Sequence, residues 1–161
     1  MRENISERDA LFEEWIEDME NEKTKRYLKE RVMRQLDWYH NKSNAYKTKY
    51  QRWMTASIVL SGSIPVASVL ADGGIGIKVF IAILGAGVTS INAFLSLQNY
   101  KDLWNIYRTN RELIISTLYL YFNNVGIFGK EMDQDGRDAM LINMCEKYIG
   151  QEVSIWKGIV K

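Results

Sequence analysis

The chain has 161 residues, of which 47% are hydrophobic and 25% charged, with a net charge of +1 and a single cysteine. So small a net charge provides no whole-molecule field for nucleic acid or an acidic substrate, and Cys145 alone rules out an internal disulfide. These averages resemble those of a soluble domain, yet the charge is concentrated in residues 1–52 and 98–161.

The first 22 residues are acidic: Glu3, Glu7, Asp9, Glu13, Glu14, Glu17, Asp18, Glu20 and Glu22 face only Arg2 and Arg8. The opening Met-Arg-Glu-Asn-Ile-Ser-Glu lacks the apolar core of a signal peptide and is too acidic for a transit peptide. Ser6 followed by Asp9 reads as a capping box, and Phe12, Trp15, Ile16 and Met19 share one face. An acidic amphipathic helix within residues 1–22, from Glu7 to about Glu20, is expected. It either packs on the rest of the helical bundle or binds a partner.

A long helix is expected from Lys23, because no Gly or Pro interrupts the chain before Gly62. Residues 23–52 form its water-exposed part, where Leu28, Val32, Leu36, Tyr39, Tyr46, Tyr50 and Trp53 recur at helical spacing. Continued upward, the stripe meets Ser57, Ser61, Ile64 and Ser68. His40, the only histidine, reads as a structural residue rather than a pH sensor.

Residues 53–71 and 74–97 are almost free of charge, broken only by Lys78 and separated by an Asp72-Gly73-Gly74 turn. Each approaches the roughly 20 residues that a helix needs to cross the hydrocarbon core. They are read as two transmembrane spans. Pro65, with Gly62 close by, predicts a kink and a natural hinge in the first span. Gly85, Thr89, Asn92 and Ser96 line one face of the second span, beside a second small-residue face of Ala82, Ala86, Ser90 and Ala93. Asn92 is the most polar of these residues. It either hydrogen-bonds between helices and specifies an oligomer, or joins Thr89 and Ser96 of several copies around a water-filled path.

Tyr50 and Trp53 at one end of the hairpin, and Tyr100 and Trp104 at the other, fall where an interfacial aromatic belt belongs. Arg34, Lys42, Lys47, Lys49 and Arg52 precede the first span, and Lys101, Arg108 and Arg111 follow the second. This bias predicts both termini on the cytoplasmic side. Residues 98–122 continue the second span as a helix, because no breaker appears before Asn123-Asn124-Val125-Gly126. A loop with a turn at Asp135-Gly136 then leads to an amphipathic helix over 137–157, with Met140, Leu141, Met144, Tyr148, Ile149, Val153 and Trp156 on its apolar side.

Enzyme signatures are poor. Gly126, Gly129 and Lys130 lack P-loop spacing, and neither Gly74/Gly76 nor Gly85/Gly87 is completed to a dinucleotide fingerprint. One histidine rules out a His-pair zinc site, and Asp133-Gln134-Asp135-Gly136 lacks the remaining ligands of a calcium loop. No catalytic, metal or cofactor residue is assigned.

The expected fold is an all-α membrane protein: a two-helix hairpin whose long helices extend into a cytoplasmic bundle with N- and C-terminal amphipathic helices, treated as one domain. Two apolar helices cannot enclose a pore, so a conduction role requires a homo-oligomer in the bilayer. The competing readings are a membrane-anchored scaffold that recruits a protein partner, and a soluble helical protein with a buried hairpin.

The runs QLDWYHNKSNAYKTKYQRW and IVLSGSIPV, then LWNIYRTNRELIISTLYLYF and IGQEVSIWKG, resemble the bacterial two-transmembrane SLATT-type superfamily, in particular a family labelled as of unknown function. The resemblance covers roughly 27–156. It implies a small inner-membrane effector of bacterial conflict systems that perturbs or perforates the membrane, with its trigger supplied by a cytoplasmic signalling or sensor protein. The acidic N-terminal segment has no counterpart in that pattern.

Overall fold

The computed structural model describes residues 5–69, 74–129 and 132–159. The chain is all-α, with no strand among the described residues. Its elements are α1 (Ile5–Glu17), α2 (Glu22–Tyr27), a π-helical turn (Leu28–Met33), α3 (Arg34–Val69), α4 (Ile75–Gln98), α5 (Tyr100–Phe122), a 3₁₀ turn (Gly126–Phe128) and α6 (Gln134–Ile159). They form two compact units, residues 1–41 with 106–161, and residues 42–105.

The first unit is a helical bundle with a largely apolar core. In α1, Phe12 and Ile16 are fully buried, each worth about 2 kcal/mol by area removed from water. Phe12 lies 4.9 Å from Tyr119 and Trp15 lies 5.3 Å from Phe122, so α1 packs along α5. The acidic helix is thus an integral layer of the bundle. The Ser6 side chain of the expected capping box lies outside the described residues.

The Asn21 side chain caps α2 by accepting from the Lys23 and Thr24 amides at 3.1 and 3.4 Å. Lys25 then reaches back, donating to the Glu17 carbonyl at 2.8 Å and pairing with the Glu17 carboxylate at 3.1 Å. Lys29 also pairs with Glu17. One carboxylate and one carbonyl at the end of α1 therefore hold the α1–α2 corner.

From Glu22 to Val69 the helical backbone is continuous, as the lack of breakers predicts, but it contains an unexpected π turn. Thr24, Leu28, Val32 and Leu36 are all buried at successive steps of four. In a regular helix each such step drifts by about 40° around the axis. The wider π turn absorbs the drift and keeps them on one face.

The sequence reading passes over the residue on which this unit closes, Asp138 on α6. It is 3% exposed. Its carboxylate accepts from Asn21 Nδ2 at 2.7 Å, Thr24 Oγ1 at 2.9 Å, Gln134 Nε2 at 2.8 Å and the Tyr121 hydroxyl. Further along α6, Glu146 accepts from Tyr27 Oη at 2.8 Å and from both Nε and Nη2 of Arg31. Arg31 holds the Glu146 carboxyl below its usual range. Leu141, Cys145 and Ile149 complete the buried face of α6, and burial pushes the Cys145 thiol up to about 12, as a structural thiol requires.

α6 begins at Gln134, earlier than expected, so Asp135-Gly136 sits in its first turn rather than in a loop turn. Asp133 caps it, accepting from the Gly136 amide at 3.3 Å. A Cβ on residue 136 would fall 2.6 Å from that same Asp133 oxygen, which explains the glycine. Between α5 and α6, Asn124 and Gly126 take left-handed conformations, and the fully buried Phe128 plugs the loop against Tyr121. The Val153 and Trp156 side chains, Lys130 and the Asp72-Gly73 part of the expected turn lie outside the described residues.

Asp138→Asn replaces an acceptor by an amide that faces four donors, so the unit should lose about 3 kcal/mol of stability, read as a lower denaturation midpoint with unchanged helix content. His40 is held below its ordinary value by burial and then by Arg111, with Arg8 adding to the effect and Asp9 and Asp37 opposing it. Its folded pKa therefore lies below the unfolded value of about 6.5, and the stability due to neutral His40 is complete above that pH and declines as pH falls through it. His40→Gln should show a shallower loss of melting temperature between about pH 6.5 and 5 than the parent chain.

Candidate functional site

The second unit contains the upper part of α3, all of α4 and the start of α5. Ile77, Ile81, Leu84, Val88, Ile91 and Leu95 of α4 are half-buried, alternating steps of four and three. Leu60, Ile64 and Ala67 are half-buried on the upper part of α3, as are Ala56 and Ser63. This is the seam spacing of paired helices. The close approach is at Gly87, where an added Cβ would lie 3.9 Å from Leu60 Cδ1.

Outside the seam the surface is apolar. Ile58, Val59 and Val66 on α3, and Ile75, Val79, Phe80, Ile83 and Leu97 on α4, are exposed, and no residue of α4 is buried. Among the described residues one helical stretch, starting at Ile75, is long and apolar enough to cross a membrane, and none of its apolar window is buried. A soluble core helix would be largely covered, whereas a contiguous bare apolar surface marks contact with lipid or protein.

The polar residues predicted for the hairpin divide into two groups. Ser57 is 5% exposed, and its hydroxyl donates to Asn92 Oδ1 at 3.2 Å, the one point where the two polar stripes meet. Ser61, Ser68, Thr89 and Ser96 stay on the exposed surface. Ser68 and Thr89 turn their hydroxyls back onto their own helices, donating to the Ile64 carbonyl at 3.1 Å and the Gly85 carbonyl at 3.0 Å. That self-satisfaction lets a hydroxyl sit in an apolar medium. An added Cβ at Gly85 or Gly62 would meet nothing within 4 Å, so neither glycine marks a close approach of the two helices, and of the Gly85 line it is Asn92 that reaches α3. Pro65 lies within α3, which continues to Val69, while Ser63 donates to the Leu60 carbonyl at 2.7 Å.

Asn92 keeps its amide nitrogen free: among the described residues Nδ2 has no hydrogen-bond partner. It lies beside a groove of about 310 Å³ lined by Tyr50, Met54, Ser96, Asn99, Lys101 and Asp102. The expected unbroken helix from the second span to Phe122 is interrupted here, because Asn99 is left-handed, with φ 48° and ψ 30°. Asparagine tolerates that conformation better than most residues, and Asn99 is the sequence signal for the break.

The four expected belt aromatics cluster around this break. Trp53 packs on Phe94 at 5.4 Å, Phe94 on Tyr100 at 6.2 Å, and Tyr100 on Tyr46 at 6.0 Å. Lys49 lies 5.9 Å from both the Tyr46 and Tyr100 rings, and Lys47 lies 5.6 Å from that of Trp104. Amphipathic rings with cations on their outer side suit a boundary between apolar and wet surroundings. Phe94 and Tyr46 are members that the spacing argument missed. Among the described residues no group of three or more His, Cys, Asp or Glu is placed to hold a metal ion.

The Ser57–Asn92 bond should show a coupling of about 0.6 kcal/mol in a double-mutant cycle of Ser57→Ala and Asn92→Ala, read from unfolding in detergent.

A family model described as protein of unknown function (DUF4231) matches residues 34–136. The match begins with α3 and ends in the first turn of α6, so it contains the whole hairpin. No curated protein and no solved structure matches the chain.

Proposed function

Because the chain belongs to the DUF4231 family of proteins of unknown function, we propose from its geometry that it is a small two-span inner-membrane protein that assembles with copies of itself to form or gate a pore. The observation that carries this reading is α4, an apolar helix of 24 residues with none buried. Residues 53–71 are its partner span, and the aromatic cluster with Lys47 and Lys49 marks the cytoplasmic boundary. Both termini are then cytoplasmic. As in the SLATT-type proteins that the sequence resembles, the setting is a bacterial conflict system triggered through a cytoplasmic signalling or sensor protein, with no catalysis by this chain.

The unpartnered amide of Asn92, with Thr89 and Ser96 exposed on the same helix, supports self-association. In hydrocarbon such a donor costs free energy until another chain or a water column satisfies it. Pro65 and Gly62 supply the hinge. The scaffold alternative, which uses the acidic segment as a handle, gains less support, because Phe12 and Ile16 already commit α1 to its own bundle.

Carbonate washing should leave the full chain in the membrane pellet, and release into the supernatant would end the membrane reading. Reconstituted in liposomes, the protein should pass ions, with Asn92→Leu changing the flux by severalfold. An intact oligomer with no flux would eliminate the pore and leave the scaffold.

A further inference from the structure

Two arginines of the first unit are buried with fewer acceptors than donors. Arg8 on α1 and Arg111 on α5 are each 7% exposed. Among the described residues each has one carboxylate partner, its own sequence neighbour: Arg8 Nη2 lies 3.2 Å from Asp9, and Arg111 Nη1 lies 3.6 Å from Glu112. The Nε atoms of both are buried and have no hydrogen-bond partner among the described residues. Nδ2 of Asn110, beside Arg111, is likewise buried and unpartnered.

The packing brings these donors within about one helical turn of each other along the bundle. Phe12 faces Tyr119 and Trp15 faces Phe122, so α1 runs parallel to α5. One turn before Phe12, Arg8 therefore comes level with Ile115, one turn from Arg111. Glu17 meets Lys25 and Lys29, so α1 runs antiparallel to the helix that becomes α3, and Arg8 reaches the stretch that holds His40. The influence of Arg8 on Arg111, and of both on His40, fits this arrangement. Nearby on α3, Asp37 is exposed and His40 is part-buried.

Two desolvated guanidiniums in one bundle, each with a buried donor left over, are costly unless an anion compensates them. Their unpartnered Nε atoms, together with the remaining Nη donors, suit a tetrahedral dianion. We propose that Arg8 and Arg111, flanked by His40 and Asn110, form a binding site for the phosphate group of a small ligand. The site is independent of the membrane reading, because none of its residues belongs to the hairpin.

Calorimetric titration of the full-length protein in detergent with inorganic phosphate, at constant ionic strength against chloride, tests it. Saturable binding is expected, weakened roughly tenfold or more by Arg8→Gln and by Arg111→Gln, the loss of one charge-assisted fork. Arg111→Lys, which keeps the charge and discards the fork, should fall between. In phosphate-free buffer Arg111→Gln should melt no lower than the parent chain, because it removes an uncompensated charge, whereas a purely structural arginine would lower the melting temperature. Phenyl phosphate binding as well as phosphate would mean that the site takes phosphoryl groups on larger molecules, and phosphate alone a free ion. No saturable binding by the parent chain, or an affinity in both glutamine variants equal to the parent's, would overturn the proposal.

Discussion

Asp138 is an acceptor-only group surrounded by donors from three directions: the Asn21 cap and Thr24 at the start of α2, Tyr121 on α5, and Gln134 on its own helix. A buried carboxylate is tolerable only when its oxygens are this fully engaged, and donors so placed are costly once it is removed. The constraint therefore acts in both directions. It sets where α2 starts, how α6 lies on α5, and, through the Asn21 cap, where the α1–α2 corner falls. The apolar residues Phe12, Leu28, Val32, Ile114, Leu118 and Leu141 then fill a space whose walls are already located.

The second unit is built differently. Its seam is apolar, crossed by the Ser57 to Asn92 hydrogen bond, and the Ser68 and Thr89 hydroxyls are bonded back to their own helices. Its outer faces are apolar and bare. In water that arrangement would be an aggregation liability. In a bilayer it is consistent: the backbone is satisfied within each helix, the Ser63, Ser68 and Thr89 hydroxyls within their own turns, and the rings lie at the end where lysines gather. The Nδ2 of Asn92 is a donor that this scheme leaves over, and it gives the proposed self-association a physical motive.

Much of this was legible in the residues. The 3.6-residue recurrence of Phe12, Ile16, Leu28, Val32, Leu36 and Tyr39 identified buried faces, because burial of an amphipathic helix depends on little besides that period. The aromatic residues Tyr50, Trp53, Tyr100 and Trp104 were found by their positions at the ends of apolar runs. What escaped was chemistry that needs a partner remote in the chain. Asp138 reads as one more surface acid until Thr24 and Tyr121 are brought to it, and Arg8 and Arg111 read as solvated charges until α1 covers them. Asn99 and the π turn escaped because each is a local departure within an otherwise unbroken helical pattern, chosen by packing over propensity.

The sequence by itself determined that the chain is helical, where its helices lie within a few residues, which stretch is apolar enough for a membrane, and that no recognisable catalytic motif is present. These properties follow from composition and periodicity, which are additive along the chain. Only the tertiary structure decided which polar side chains meet. It joined Ser57 to Asn92 and left Ser61, Thr89 and Ser96 on the outside, and it buried two arginines beside one histidine. Such pairings depend on helix rotation and register, which small packing differences such as Gly87 against Leu60 or a single left-handed Asn99 control, and no linear pattern encodes them.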